Sequence, residues 1–161
     1  MIVVADTGPL NYLILIESAD ILPRLYEHVC IPSAVERELN ATATPEPVRS
    51  WIEHPPTWVR RVDPARSAPE LGLDAGETQA ISLALELHCD LLIDDSKGKR
   101  TARSLGIQTI GALGLLRAAA RVGAVDLLTA LDRLQVTSFR APPELVTYLR
   151  EEEIRRRERR P

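Results

Sequence analysis

The sequence predicts an α/β fold, with a mostly parallel sheet and helices on both of its faces. Three observations carry this expectation. Short runs at Ile2–Ala5, 29–31, 90–93 and 107–110 read as strands, the first and third of them buried in a parallel sheet. Stretches with apolar residues at helical spacing separate them. No internal repeat or low-complexity linker breaks the alternation, and 161 residues suit one domain with its own core.

Each element follows from local chemistry. The strand Ile2–Ala5 stops at Asp6, and Thr7, Gly8 and Pro9 come next. Pro9 can open a helix in its first turn. Leu10, Leu13 and Ile14, then Ile21, Leu22 and Leu25, keep helical spacing across a break at 17–20. After the strand 29–31, Pro32 opens a helix with Ala34, Val35 and Leu39 on one face. Residues 42–47, rich in Thr and Pro, are a loop, and a short helix covers about 48–53. The run 58–62, flanked by prolines, predicts an edge strand.

Beyond a loop at 67–72, Asp74 and Glu77 have capping-box spacing. Their helix continues through Ala80, Ile81, Ala84, Leu85 and Leu87. Strand 90–93 runs into Asp94 and Asp95, and Gly106 closes a helix over 97–105. Strand 107–110 and helices at 113–121, 126–135 and 143–155 complete the chain.

Composition narrows the function classes. Aromatic residues are only 4%, so the core must be aliphatic. A net charge of −3 argues against a strongly electropositive nucleic-acid module, though not against an enzyme with a local cleft. Cys30 and Cys89 form no C-x-x-C pair and read as free thiols in a reducing cytoplasm. No basic segment precedes the first apolar run, which Asp6 cuts short, so neither a signal peptide nor a membrane span is expected. His28, His54 and His88 have no ligand spacing and read as surface or helix-end residues.

Asp6-Thr7-Gly8 is also the motif of aspartic proteases, but those need a mostly β fold and two such loops. A phosphoacceptor receiver domain would carry its acidic pair after the first strand, where Asp6 stands alone. A parallel sheet binds ligands at the carboxyl ends of its strands. Asp6 and the Asp94–Asp95 pair directly follow two strands and so share one edge. Glu77 lies in the first turn of the helix that leads into the 90–93 strand, and Glu38 ends the helix after the second strand. Two carboxylates at 4 Å repel by about 4 kcal/mol at an effective dielectric near 20. Convergence therefore requires bound protons or a cation. An all-oxygen donor set favours Mg²⁺ or Mn²⁺ over zinc, and such an ion can assist phosphodiester hydrolysis.

Structural roles compete with these. Asp6 could cap a helix. Glu36 is the alternative to Glu38, and a capping box alone explains Glu77. One of Asp94 and Asp95 is expected at the site, with Asp95 favoured, and the other as a cap. Lys97, Lys99, Arg100 and Arg103 are RNA-phosphate contacts or a solvated helix face. At the C-terminus, Glu151–Arg155, Glu152–Arg156 and Glu153–Arg157 have i,i+4 spacing, chiefly a solvated helix end. Its last basic residues could meet nucleic acid or an acidic partner.

The ordered segments ADTGPL with Asp6 and Thr7, IPSAVERELN with Glu38, LDAGETQAISLALE with Glu77 and LLIDDSKGKRTARSLGI with Asp95 span the first 110 residues. In order and spacing this set resembles the PIN-domain nucleases, and among them the VapC-like toxins of prokaryotic toxin–antitoxin pairs. The resemblance implies a three-layer α/β/α PIN-like domain over 1–161, with a 1–110 core and a helical extension at 111–161. It implies a Mg²⁺- or Mn²⁺-dependent endoribonuclease that cleaves RNA. Asp6, Glu38, Glu77 and Asp95 map onto the metal-site carboxylates, with Asp94 competing, and Thr7 onto the hydroxyl residue beside the first Asp. A homodimer and a cognate antitoxin that blocks the acidic cleft are further implications. The chain departs from the family at Glu77, often Asp, and at Ser96-Lys97, which replace an acidic–aromatic continuation. The second departure, in the segment IDDSK, motivates a second expectation, a catalytically weak PIN-like domain that binds RNA or a protein partner.

Overall fold

The computed structural model describes residues 1–68 and 71–159. At its centre is β1 (Ile2–Ala5), whose Val3, Val4 and Ala5 have no solvent exposure. It pairs in parallel with β2 (His28–Ile31) on one side and β4 (Asp90–Leu92) on the other. β3 (Val59–Arg61) and β5 (Thr109–Ile110) are the edges, and the order is β3-β2-β1-β4-β5. Val3 lies opposite Val29 and Asp90, and Val4 opposite Cys30 and Leu91.

The helices are α1 (Thr7–Leu15), α2 (Leu22–Leu25), α3 (Ser33–Leu39), α4 (Glu46–Glu53), α5 (Ala75–Leu87), α6 (Ser96–Ser104), α7 (Ala112–Arg121), α8 (Leu127–Gln135) and α9 (Pro143–Glu158). A five-stranded, all-parallel sheet flanked by helices is the three-layer α/β/α fold that the alternation predicts. The strand order reverses direction between β1 and β4. Such a switch point opens a crevice beyond the carboxyl ends of the two strands. Asp6 starts there, its amide donating to the Leu92 carbonyl at 2.9 Å.

Several boundaries differ from expectation for identifiable reasons. α1 begins at Thr7, two residues before Pro9, because proline is tolerated wherever a helix has unpaired first-turn amides. Pro32 is the N-cap of α3 rather than its first residue, and α4 starts at Glu46, inside the expected 42–47 loop. Glu17, with φ 57°, makes the break between α1 and a 3₁₀ turn at Ala19–Ile21. The expected 67–72 loop lies partly outside the described residues.

The C-terminal helix is not simply solvated. Leu149 and Glu153 are buried, the latter 3% exposed. Glu152 receives Arg117 and Arg121 of α7 rather than Arg156. Arg156 turns to Glu153, and Arg157 bridges Glu153 and Asp126 at the start of α8. Of the three expected pairs, Glu151–Arg155 and Glu153–Arg157 form. Tyr12 of α1 meets Phe139, between α8 and α9, edge-on with ring centres 5.0 Å apart. Cys30 is buried and Cys89 half-buried, both as free thiols. Among the described residues, no helix is long and apolar enough to cross a membrane.

Candidate active site

In a parallel sheet, helices that follow or precede strands begin at the carboxyl edge. The N-termini of α1, α3, α5, α6 and α7 therefore gather there, and their exposed amides and dipoles favour negative charge. The acidic residues arrive through these starts.

Asp6 occupies the N-cap position of α1, yet its side chain makes no cap hydrogen bond. It is 5% exposed, and its Oδ1 has no partner. Burial pushes its carboxyl from the ordinary 3.8 up to about 8. The Thr7 amide pulls the other way, while the charges of Glu77, Asp74 and Glu38 add to the rise. A helix cap does not account for such a group.

Glu38 is fixed by two elements from outside its own helix. The Thr7 hydroxyl donates to Oε2, and the Gly76 amide in the first turn of α5 donates to Oε1 at 3.0 Å. A Cβ on Gly76 would lie 2.5 Å from both carboxylate oxygens, so the residue must be glycine for the carboxylate to seat. Glu36, the sequence alternative, instead pairs with Arg61 at 3.0 Å.

Glu77 is half-buried. Burial raises its pKa, as do the charges of Asp74, Asp95 and Glu38, and the Asp74 amide opposes them. Asp74 caps α5, accepting from the Glu77 amide at 2.7 Å. Asp95 caps α6, accepting from Gly98 at 2.8 Å, while its charge reaches Glu77. The cap of α6 expected from one member of the Asp94–Asp95 pair is Asp95, the member favoured for the site. Asp94 accepts from the Ala112 amide at the start of α7, at 2.9 Å, and its Oδ2 is unpartnered near Gly8. Burial raises its pKa, against the Ala112 amide and the Lys99 charge.

Asp6, Glu38 and Glu77 thus share one electrostatic neighbourhood, and Asp95 joins it through Glu77. Asp94 belongs with Lys99 instead. Lys97 donates to the Gly72 carbonyl at 2.5 Å, tying α6 to the approach to α5, and Arg100 is exposed. Two contributors were missed in sequence. Asp74 was read only as a cap, although its charge acts on both Asp6 and Glu77. Gly76 was not singled out, although a glycine in the first turn of a helix was a visible signal.

The donors suit a hard, hydrated cation. Among the described residues, no three His, Cys, Asp or Glu side chains are grouped so as to hold an ion by themselves. Both Glu38 oxygens and one Asp95 oxygen are engaged, whereas the Asp6 Oδ1 is open. Mg²⁺ commonly takes one or two carboxylates and completes its octahedron with water and substrate phosphate. The open Asp6 oxygen with one neighbouring carboxylate, Glu77, fits that requirement, and Asp95 keeps its second oxygen free of the Gly98 amide.

A parallel α/β/α sheet with carboxylates meeting at its switch point defines a class of domains built to manage charge at that edge. The family model DUF3368, described as a PIN domain, matches residues 2–153, and the chain belongs to this PIN-domain family. Among solved structures, a PilT N-terminus domain protein from the hyperthermophilic archaeon Sulfolobus solfataricus is similar in fold, with a TM-score of 0.54 and 19% identity. The match covers 74% of this chain and 93% of that one. No curated protein matches the chain. PIN domains are in general nucleases that use divalent metal ions, so the class of reaction is phosphodiester hydrolysis.

Proposed function

We propose that this chain is a Mg²⁺- or Mn²⁺-dependent endoribonuclease. One observation carries the reading: Asp6, buried at the end of the central strand, keeps an open oxygen and a carboxyl that resists ionisation. A cation beside it would offset both the burial and the neighbouring charges. Asp6, Glu77 and Asp95 would hold the ion. When bound, it supplies Lewis-acid stabilisation of phosphoryl charge and lowers the pKa of water.

The chain's own groups do the rest. Glu38, clamped between Thr7 and Gly76, presents a fixed negative wall beside Asp6 and is a positioning group first. The helix N-termini at this edge orient amides toward a phosphate. Lys99 and Arg100, on α6, would neutralise phosphates that flank the edge. Lys97, engaged with Gly72, serves by holding the α5 approach in place.

The VapC-like order of motifs extends the proposal to a cytoplasmic toxin of a type II toxin–antitoxin pair. Its cognate antitoxin would cover the acidic edge with a basic or extended segment, and the toxin would be a homodimer. A second reading, a catalytically weak domain that binds RNA or a protein, draws on the Glu38 and Asp95 oxygens already engaged in hydrogen bonds.

The test is cleavage of several structured and unstructured RNAs with Mg²⁺, Mn²⁺ or EDTA, beside Asp6→Asn and Asp95→Asn. The proposal expects metal-dependent cleavage that both variants lose. No cleavage, together with no heat of Mn²⁺ binding, would leave the binding domain as the account.

A further inference from the structure

We propose that the C-terminal helices carry a second binding site, remote from the acidic edge, for the phosphodiester backbone of the nucleic acid. This inference rests on the nuclease reading above. α7 and α9 enclose a concavity of about 260 Å³. Arg117, Arg121, Arg155, Arg156 and Arg159 line it, against Glu152 and Glu153. Five positive groups against two negative leave a local surplus of three, on a chain whose net charge is −3.

The two glutamates are already saturated. Glu152 receives Arg117 through Nε at 2.7 Å and through Nη2, with Arg121 Nη2 at 3.4 Å. Glu153 receives Arg156 through Nε and Nη2, both at 2.7 Å, and Arg157 Nε at 2.8 Å. A guanidinium carries five N–H donors in a planar fork. Arg117 and Arg156 each direct two of them at a carboxylate. The carboxylates therefore act as struts that hold these forks still while leaving donors over. Arg155 has only a 3.7 Å contact with Glu151. Donors ordered in advance lose less entropy when a ligand arrives.

The lining selects the ligand. Planar forks match phosphate oxygens bidentately. Among the described residues, Leu127 is the only apolar one in the lining, and none is aromatic. Base stacking needs aromatic faces and a peptide anchor needs an apolar pocket, so neither is favoured. What remains is a run of successive backbone phosphates, read without regard to sequence.

The position also fits. Asp94 caps the N-terminus of α7 at the acidic edge. Arg117 and Arg121 lie roughly 8 and 14 Å further along that helix at 1.5 Å per residue. A few nucleotides of a strand span the longer distance.

The test compares the full chain with the triple variant Arg121→Gln, Arg155→Gln, Arg159→Gln. Arg117 and Arg156 stay, because they hold Glu152 and Glu153. Binding of a labelled 20-nucleotide oligouridine is measured in EDTA from 50 to 200 mM salt. Each lost phosphate contact makes the slope of log affinity against log salt shallower by about 0.7, so three make it shallower by about 2. Over that fourfold salt range the unaltered chain should lose roughly 16-fold more affinity than the variant. Lysines at the three positions should restore the slope. Inorganic phosphate should compete no better than chloride at matched ionic strength.

Equal slopes with bound RNA overturn the subsite and leave the nuclease reading standing. The expected slopes without any metal-dependent cleavage support the subsite and count against the nuclease. A variant that loses only inorganic phosphate, or only an oligoglutamate peptide, overturns the proposal in favour of a small-anion or acidic-protein site. A chain that binds no RNA overturns it too.

Discussion

Replacing Asp6 by Asn separates the electrostatic cost of the acidic edge from its use. The carboxyl is raised from 3.8 to about 8, chiefly by burial. The unfolded chain gives up this proton first as pH rises. Between pH 4 and 8 the folded state therefore binds more protons than the unfolded one, and stability falls with pH. Each pH unit is worth about 1.4 kcal/mol, so the whole span comes to about 6 kcal/mol, less whatever water entry relieves. That is a large share of the 5–15 kcal/mol typical of a domain. Asn has nearly the shape of the protonated acid and does not titrate. Urea unfolding in EDTA at pH 5, 6, 7 and 8 should show Asp6→Asn gaining on the unaltered chain by about 1 kcal/mol per pH unit. A residual slope will remain in the variant, because the Glu77 carboxyl is also raised. Adding Mn²⁺ should restore stability to the unaltered chain, more strongly at higher pH, and leave the variant where it was. Parallel stability curves for the two chains across this range would refute the reasoning, since Asp6 would then be ionised at no cost.

Three further outcomes follow from the geometry. Gly76→Ala, a change that usually favours a helix, should here cost about 1–3 kcal/mol in urea unfolding. It should also cut metal-dependent cleavage at least tenfold, because the new Cβ would sit 2.5 Å from the Glu38 oxygens. Asp94→Ala should destabilise by about 1 kcal/mol through the lost cap on α7 while keeping metal-dependent cleavage, whereas Asp95→Asn should abolish cleavage. Equal losses of cleavage would show that Asp94 also serves the site. The carboxyls of Glu152, Glu153 and Asp126 are all held below their ordinary values by hydrogen bonds, from arginines for the two glutamates and from the Thr129 amide first for Asp126. Their contribution is present above pH 4.5 and lost as pH falls through the lowered values. Amide exchange in α9 should therefore accelerate below pH 4 before exchange in β1 does, and uniform acceleration would contradict this.

How much of this was legible in the sequence depends on the range of the interaction that decides each feature. β1 and β4 are buried on both faces, so their unbroken apolar runs announced them, as did the capping-box spacing at Asp74 and Glu77. The order of acidic segments pointed to one edge because a parallel sheet puts all its strand ends there. What could not be read was the partner of each carboxylate. Glu38 meets Thr7 and Gly76 across 31 and 38 residues. No local pattern reports this beyond the oddity of a glycine in a helical first turn. The C-terminal helix misled for the same reason. Spacing proposed Glu152 with Arg156, but Arg117 lies 35 residues upstream and holds Glu152 with two hydrogen bonds. Exposed i,i+4 pairs contribute only a few tenths of a kcal/mol, so packing readily reassigns them.

The competition between cap and site, which looked like a choice in the sequence, has a physical resolution. Every helix that starts at the carboxyl edge of a parallel sheet needs acceptors for its first amides, and Asp is among the best. An acidic edge is therefore partly the sum of its caps: Asp74 for α5, Asp95 for α6 and Asp94 for α7. Each cap uses one carboxylate oxygen and leaves the charge in place. The exception is informative. Asp6 stands at the N-cap position of α1 and makes no cap bond. Its burial gives it no solvent in exchange, so the fold gains nothing from its charge. Of all the carboxylates at this edge, it is the one whose presence only a ligand explains, and for that reason its substitution tests the site more sharply than any of the caps.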